Sequence, residues 1–323
     1  MSKLKRKSIN KRNRIRLSAA FIACIVVVLF CVIMSLLSLS GAADPLGDYL
    51  NRITGNEPFM LGAMKYPLSV HFIDVGCGDS IFISAEGKNI LIDTGKYSLD
   101  GRTAQYLKKT GADHIDLFVA THTDSDHIGD FSSVAGAFRI DKIWLSDFCK
   151  KPEEKQSEDE KIFYTEIKNR KIKLLSPETG IYDFGSFSIE VLSPTEPSEE
   201  DNDNSLVLRL VYGDVSFLFT GDAGKKIENK LVKDSGNIRS DILKAGHHGS
   251  NGSTTAEFLK AVSPSVTVIS AGEENNALPN RNCIDRIKQS GSDILRTDID
   301  GTVIITYDGK ELSCIKEKPS ADE

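Results

Sequence analysis

Cysteine is sparse in this 323-residue chain, and its six copies form no Cys-x-x-Cys or other close pair. Cys24 and Cys31 fall in an apolar N-terminal run, while Cys77, Cys149, Cys283 and Cys314 are scattered beyond it. That spacing excludes a disulfide-stapled scaffold and leaves one bridge open in an oxidising compartment. No repeat of solenoid length and no low-complexity tract occurs, so a repeat array and a disordered polymer are excluded as well. Nothing resembles Gly-x-Ser-x-Gly, and a serine nucleophile elbow is therefore absent. Basic residues are unevenly placed. Residues 1–16 hold eight Lys and Arg and no acid, so with a net charge of -6 overall the remainder stands at -14. An acidic body is a poor generic nucleic-acid binder, because such binding draws on cations that neutralise phosphates. The bulk composition, 40% hydrophobic and 27% charged, is that of a globular protein, long enough for one large domain or two small ones.

Residues 17–39 contain no charge and are rich in Ile, Val, Leu and Phe. As a helix this run spans about 35 Å, enough to cross a ~30 Å hydrocarbon core with some tilt. The basic lead before it places the N-terminus in the cytoplasm and everything after about residue 43 outside the cell membrane, by the positive-inside rule. The rival reading is a cleaved signal peptide, for which Gly41-Ala42-Ala43 supplies small residues, although the apolar run exceeds the usual ~7–15-residue signal core. The resulting organisation is a basic cytoplasmic tail (1–16), a transmembrane anchor (17–39), a linker (40–66), a folded domain (67–315) and a short C-terminal tail (316–323).

Within the folded part, short runs rich in β-branched residues at 69–75, 80–85 and 89–92 read as strands. A helix over 101–110 ends at Gly111, and 115–120 is a continuous apolar run suited to a strand buried on both faces. A second set follows: strands at 140–145 and 171–175 around an acidic stretch (153–160), then strands at 184–192, 205–212 and 215–220. After these come helices at 225–232, 254–262 and 283–289, strands at 242–245 and 266–270, and strand material at 293–305. Two strand-rich halves with interleaved helices suit an α+β fold of two sheets packed face to face with helices outside.

Three segments carry the chemistry. The 115–120 strand runs into Thr121-His122-Thr123-Asp124-Ser125-Asp126-His127, a loop in which imidazoles and carboxylates can converge on a divalent ion. A capped polar turn is the bland alternative for this loop taken alone. Thr220-Gly221-Asp222-Ala223 ends a second apolar strand, and Lys244-Ala245-Gly246-His247-His248-Gly249-Ser250 ends a third. Four of the six histidines thus lie at two strand ends, which together with Asp222 points to a metal site. His71, on a strand, and His114, before one, read as structural.

These segments resemble the metallo-β-lactamase superfamily, in particular the hydrolase domain of ComEC-type competence proteins and its stand-alone relatives. The segments His71–Ser80, Leu91–Gly95 and Asn204–Val207 fit as well, in the family's order. The resemblance implies a four-layer αβ/βα sandwich and one or two divalent ions, zinc or manganese. His122 and Asp124 would hold one ion and Asp126 and His127 the other, with Asp222 bridging and His247 and His248 binding metal or the scissile phosphate. Asp124 stands where other members have His, which leans toward the harder ion. By the same resemblance Asp126, His248 and Lys244 act at the reacting phosphate, and Asn204, Ser250 and Asp79 contact substrate. Asn204 occupies a position often held by a ligating His, and Cys77 one often held by Gln. Leu278 stands where relatives commonly have a His that is a ligand. The implied activity is hydrolysis of a phosphodiester by metal-activated water, on nucleic acid or, alternatively, on a cell-wall polymer of the teichoic-acid type. A third alternative is a non-catalytic binding protein with a degraded metal site.

Overall fold

The computed structural model describes residues 63–272 and 277–318. The expected membrane anchor and the basic tail before it lie outside these residues. Among the described residues no helix is long and apolar enough to cross a membrane.

In chain order the elements are β1 (Leu68–Phe72), β2 (Ile81–Ala85), β3 (Lys88–Ile92), α1 (Arg102–Thr110), β4 (His114–Ile115), β5 (Leu117–Val119), α2 (Ser125–Ile128), α3 (Phe131–Ala137), β6 (Arg139–Ile140) and β7 (Lys142–Trp144). Next come α4 (Glu158–Arg170), β8 (Lys173–Leu175), β9 (Gly180–Asp183), β10 (Ser188–Ser193), β11 (Val207–Tyr212), β12 (Val215–Phe219), α5 (Lys225–Asp234), β13 (Ile242–Lys244) and α6 (Ala256–Val262). The chain closes with β14 (Val266–Ile269), α7 (Arg281–Ser290), β15 (Asp293–Arg296), α8 (Thr297–Asp300), β16 (Val303–Tyr307) and β17 (Leu312–Lys316). One sheet has eight strands in the order β17-β16-β1-β2-β3-β5-β7-β8, and the other has seven in the order β15-β14-β13-β12-β11-β10-β9.

Strand alternation builds the layers. Ile81 and Ile83 of β2, Leu117 and Val119 of β5, and Phe217 and Phe219 of β12 face one shared core between the sheets. Phe82 and Phe118 point the other way, under α1, α3 and α4, where Phe118, Phe131 and Phe163 pack ring against ring. Leu218 and Leu243 cover the outer face of the second sheet beneath α5, α6 and α7, with Phe258 and Ile287. Apolar burial on both faces of each central strand is why these strands read as continuous hydrophobic runs. The architecture is the expected αβ/βα sandwich.

Two local expectations differ from what forms. The acidic stretch opens helix α4, because Ser157 and Glu160 make a reciprocal capping box at its N-terminus. The strand material at 293–305 divides between sheets: β15 pairs parallel with β14, and β16 pairs antiparallel with β1. Between them the polar Thr297–Asp300 turn is tied down when Arg296 N–H donates to Asp300 Oδ2 at 2.8 Å. Among the described residues Cys77, Cys149, Cys283 and Cys314 form no disulfide.

The strands that lead to the candidate residues run parallel within each sheet: β3, β5, β7 and β8 in the first, β12 to β15 in the second. Their C-terminal ends open onto one rim, the usual place for a ligand site in such sheets. The two rims are joined where Leu206 N–H donates to Thr121 O at 2.8 Å.

Candidate metal centre

β5 delivers His122 and Asp124 in the loop that follows it, and α2 carries Asp126 and His127. β12 delivers Asp222, and β13 delivers His247 and His248. These side chains meet. His127 Nε2 lies 3.3 Å from Asp222 Oδ1, and His122 Nε2 lies 4.0 Å from Asp222 Oδ2 and 3.6 Å from Asp124 Oδ2. His248 Nε2 lies 3.4 Å from Asp126 Oδ2 and 3.6 Å from Asp222 Oδ1. Ligand atoms of His122, His127 and Asp222 fall within 4.8 Å of one another, as do those of Asp126, His127 and His248. Asp222 belongs to both neighbourhoods. His247, half-exposed at the mouth, reaches Asp222 Oδ2 at 3.7 Å and Asn202 Nδ2 at 3.4 Å. Both histidines of this pair hold a left-handed backbone, at φ 46° and φ 52°, a conformation costly for a non-glycine residue that aims the two rings in different directions.

The three buried imidazoles are oriented from behind. His127 Nδ1 donates to Asp93 Oδ2 at 2.9 Å, and His248 Nδ1 donates to Ser270 O at 3.2 Å. The Thr121 hydroxyl donates to Asp93 Oδ2 at 2.7 Å and so accepts from His122 Nδ1 at 3.1 Å. In each ring Nδ1 is bonded to a group behind it and Nε2 faces inward, the arrangement that suits a ligating histidine. His122 Nε2, His127 Nε2, His248 Nε2 and Asp222 Oδ1 are all buried and have no hydrogen-bond partner. Acceptors that face one another in a dry site are unfavourable unless a cation or protons lie among them. This donor set fits a divalent ion.

Electrostatics agree. Burial opposes protonation of His127, but Asp222 and Asp93 outweigh it and raise its pKa well above the usual histidine value. Burial likewise works against His248, yet Asp222 and Asp79 push it up to about 9. Burial acts to raise Asp222 and Asp126. The surrounding imidazoles overcome it, leaving Asp222 well below the carboxylate range and Asp126 at about 2. The pocket pulls positive charge inward.

Other residues expected at the site sit elsewhere. Asn204 is buried, and its carboxamide is engaged twice by Ser198, accepting from its N–H at 2.8 Å and donating to its carbonyl at 3.0 Å. Ser250 Oγ organises its own turn, accepting from Gly252 N–H at 3.1 Å. Neither is turned toward the ligand cluster. Lys244 is 1% exposed, with Nζ 2.7 Å from Asp79 Oδ2 and 2.8 Å from Ala245 O. Leu278 lies next to the histidine turn, since its neighbour Pro279 packs on Gly249 and Asn280 N–H donates to Gly249 O at 2.9 Å. His71 is buried and neutral, held by Tyr106 and Ser69, with burial driving its pKa down to about 3.

Asp93, inside the Leu91–Gly95 segment of the resemblance, and Glu160 are supporting residues to which the sequence reading gave no role. Asp93 follows β3 as Asp222 follows β12, a carboxylate just past a buried apolar strand, and that shared pattern was its signal. Glu160 accepts from Thr123 Oγ1 at 2.6 Å and so anchors the ligand loop to α4. Only packing of the helix reveals it.

Residues 73–273 match the family model described as the metallo-beta-lactamase superfamily. The chain is 29% identical to ComE operon protein 3 of Bacillus subtilis over 74% of its own length, and 33% identical to competence protein ComA of Neisseria gonorrhoeae over 71%. It spans about a third of each relative, 33% and 31% respectively. Among solved structures it is similar to CmlA, a diiron beta-hydroxylase from Streptomyces venezuelae, with a TM-score of 0.52 and 12% identity over 75% of this chain and 54% of that one. At that identity the likeness shows the fold alone.

Proposed function

The chain belongs to the metallo-beta-lactamase superfamily, and from that premise we propose that it is a metal-dependent phosphodiesterase held at the outer face of the cell membrane by residues 17–39. The observation that carries the proposal is the convergence of partnerless His122, His127, His248 and Asp222 atoms on one buried place. His122, Asp124 and Asp222 would hold one ion, and Asp126, His127 and His248, sharing Asp222, a second. A divalent ion there supplies a water of lowered pKa and neutralises charge on a phosphoryl group. The protein's own part is to keep three imidazoles in one tautomer, hold Asp126 and Asp222 ionised, and exclude water from all but the mouth lined by Asp124, Asp126 and His247.

The names of the relatives point to competence and hence to nucleic acid, while the acidic body favours a shorter or less charged phosphodiester, such as a cell-wall choline phosphodiester. The test is metal content of the full chain in detergent, followed by turnover of single-stranded DNA, bis-p-nitrophenyl phosphate and choline phosphodiesters with Mn2+ and Zn2+. Bound metal with turnover abolished in Asp126→Ala supports the reading. Absence of bound metal, or activity that survives Asp126→Ala, overturns it.

One observation favours a non-catalytic binding protein as the second reading: Leu278, beside the Gly249 turn, offers an alkyl group where the resemblance implies an imidazole. Leu278→His raises metal affinity or rate if a ligand is missing there, and changes neither if the site is complete without it.

A further inference from the structure

Lys244, expected at the reacting phosphate, is taken by the fold out of reach of any substrate. Its ammonium group is enclosed, and its near neighbours are Asp79 Oδ2 at 2.7 Å and Ala245 O at 2.8 Å. The other oxygen of Asp79, Oδ1, is buried without a hydrogen-bond partner and faces His248 Nδ1 at 3.5 Å. His248 in turn directs Nε2 at Asp126 and Asp222. The Asp79 loop is fastened to the same place. Asp79 N–H donates to Asp126 O at 3.2 Å, and a Cβ at Gly78, whose φ is +126°, would lie 2.1 Å from that carbonyl. Only glycine lets the two loops approach so closely.

We infer that Asp79 and Lys244 form a buried clamp that positions the His248 imidazole, with Lys244 cancelling the charge that Asp79 brings into the interior. They are positioning residues and do not touch substrate. An isolated buried carboxylate is costly and a paired one much less so, so Asp79 can stand behind His248 as an ionised acceptor only with a cation of its own. Lys244 is that cation, on the strand that leads to the histidine it serves. The inference rests on the metal-centre reading above and adds the group behind one of its ligands.

The test uses the full chain in detergent, stripped with chelator and titrated with Mn2+ in a calorimeter. Asp79→Asn leaves the Lys244 ammonium unpaired beside a place built for a cation, and Mn2+ binding weakens by more than about tenfold, as for loss of a group behind a ligand. Asp79→Asn combined with Lys244→Met removes that charge and keeps an acceptor oxygen for His248, so affinity returns to within a few-fold of the parent. Asp79→Leu combined with Lys244→Met is equally neutral and nearly isosteric but offers no acceptor, and Mn2+ binding falls by about tenfold, the low end of the range because Ser270 O still holds the ring. Neither double variant buries an unpaired charge, which keeps both comparable to the parent. The KM for bis-p-nitrophenyl phosphate at saturating Mn2+ stays at the parent value in both. Equal Mn2+ affinity in the two double variants overturns the clamp. A raised KM in both with parental Mn2+ affinity overturns it in favour of a phosphate contact by Lys244. A parent chain that binds neither Mn2+ nor Zn2+ in the same titration removes the metal centre and the clamp together, an outcome distinct from the other two.

Discussion

Strand β5 carries a group of histidine and aspartate side chains at each end, and the two differ in how far the rest of the chain satisfies them. At its C-terminal end His122, His127 and Asp222 converge; before its N-terminal end His114, Asp116 and Asp141 do, with ligand atoms equally within 4.8 Å of one another. By proximity the two are alike. Their partners differ. Asp116 accepts from Lys88 Nζ and Asn89 N–H, both at 2.9 Å, Asp141 pairs with Arg139 at 3.1 Å, and His114 Nδ1 pairs with Asp113 at 2.6 Å. Lys88 and Arg139 already satisfy the carboxylates of that group and Asp113 its imidazole, and its residues are partly or fully exposed. At the other end the facing atoms are buried and unpartnered, with Asp93, Thr121 and Ser270 fixing each ring from outside. A metal centre is marked by acceptors that nothing else satisfies, more than by closeness of ligand types.

The largest effect expected from breaking this contrast is at Asp222, which both halves of the centre share. Asp222→Ala should abolish metal retention after dialysis and all turnover, whereas His114→Gln with Asp141→Asn should leave metal content unchanged, both read by elemental analysis. Metal retained by the first variant, or lost in the second, would mean the ion belongs to the other end of the strand. Next in size is the effect of the ion on stability. Mn2+ at a hundredfold its dissociation constant adds about 2.7 kcal/mol, raising the melting temperature of stripped protein by about 5–10 °C. Calorimetric melts with and without EDTA measure this, and coincident melts would deny a bound ion.

A smaller effect is expected at Asp93. Asp93→Asn can still bond His127 but no longer enforces the Nδ1–H tautomer, and it should weaken metal affinity about 10–100-fold with the fold intact; an unchanged affinity would show that tautomer control lies elsewhere. The smallest is a pH effect confined to stripped protein. His248, at about 9 in the fold against an ordinary 6.5, adds stability that is fully present below pH 6.5 and disappears as pH rises through about 9. Melts of stripped protein should therefore decline over that window, while Mn2+-loaded protein, whose ring carries no such proton, declines less. Parallel curves would show that the ring is not protonated in the empty centre.

How legible the centre was differs residue by residue. His122, Asp124, Asp126 and His127 are close in sequence because one loop supplies them, and the apolar run before them announced the strand that aims the loop. Asp222 and the His247-His248 pair repeat that grammar, apolar strand then glycine then ligand, and they too were readable. Lys244 was not, because a lysine next to a ligand motif looks like a phosphate contact until packing shows that Asp79, far back in the chain, holds it inside. Asn204 similarly matched a ligand position in order along the chain but turned its amide to Ser198. The run at 293–305 misled for a different reason: two strands on opposite sheets share one hydrophobic rhythm, and only the polar Thr297–Asp300 turn marks the crossing.

By itself the sequence determined the strands, their burial on both faces, and the residue types that leave their ends, since hydrophobic periodicity and short ligand spacings are local properties. Tertiary structure alone decided which of those polar groups stay unsatisfied. Whether a buried histidine, aspartate or lysine finds a partner depends on side chains brought from distant strands, and here that pairing separates Lys244, neutralised by Asp79 within the fold, from Asp222, which faces three imidazoles.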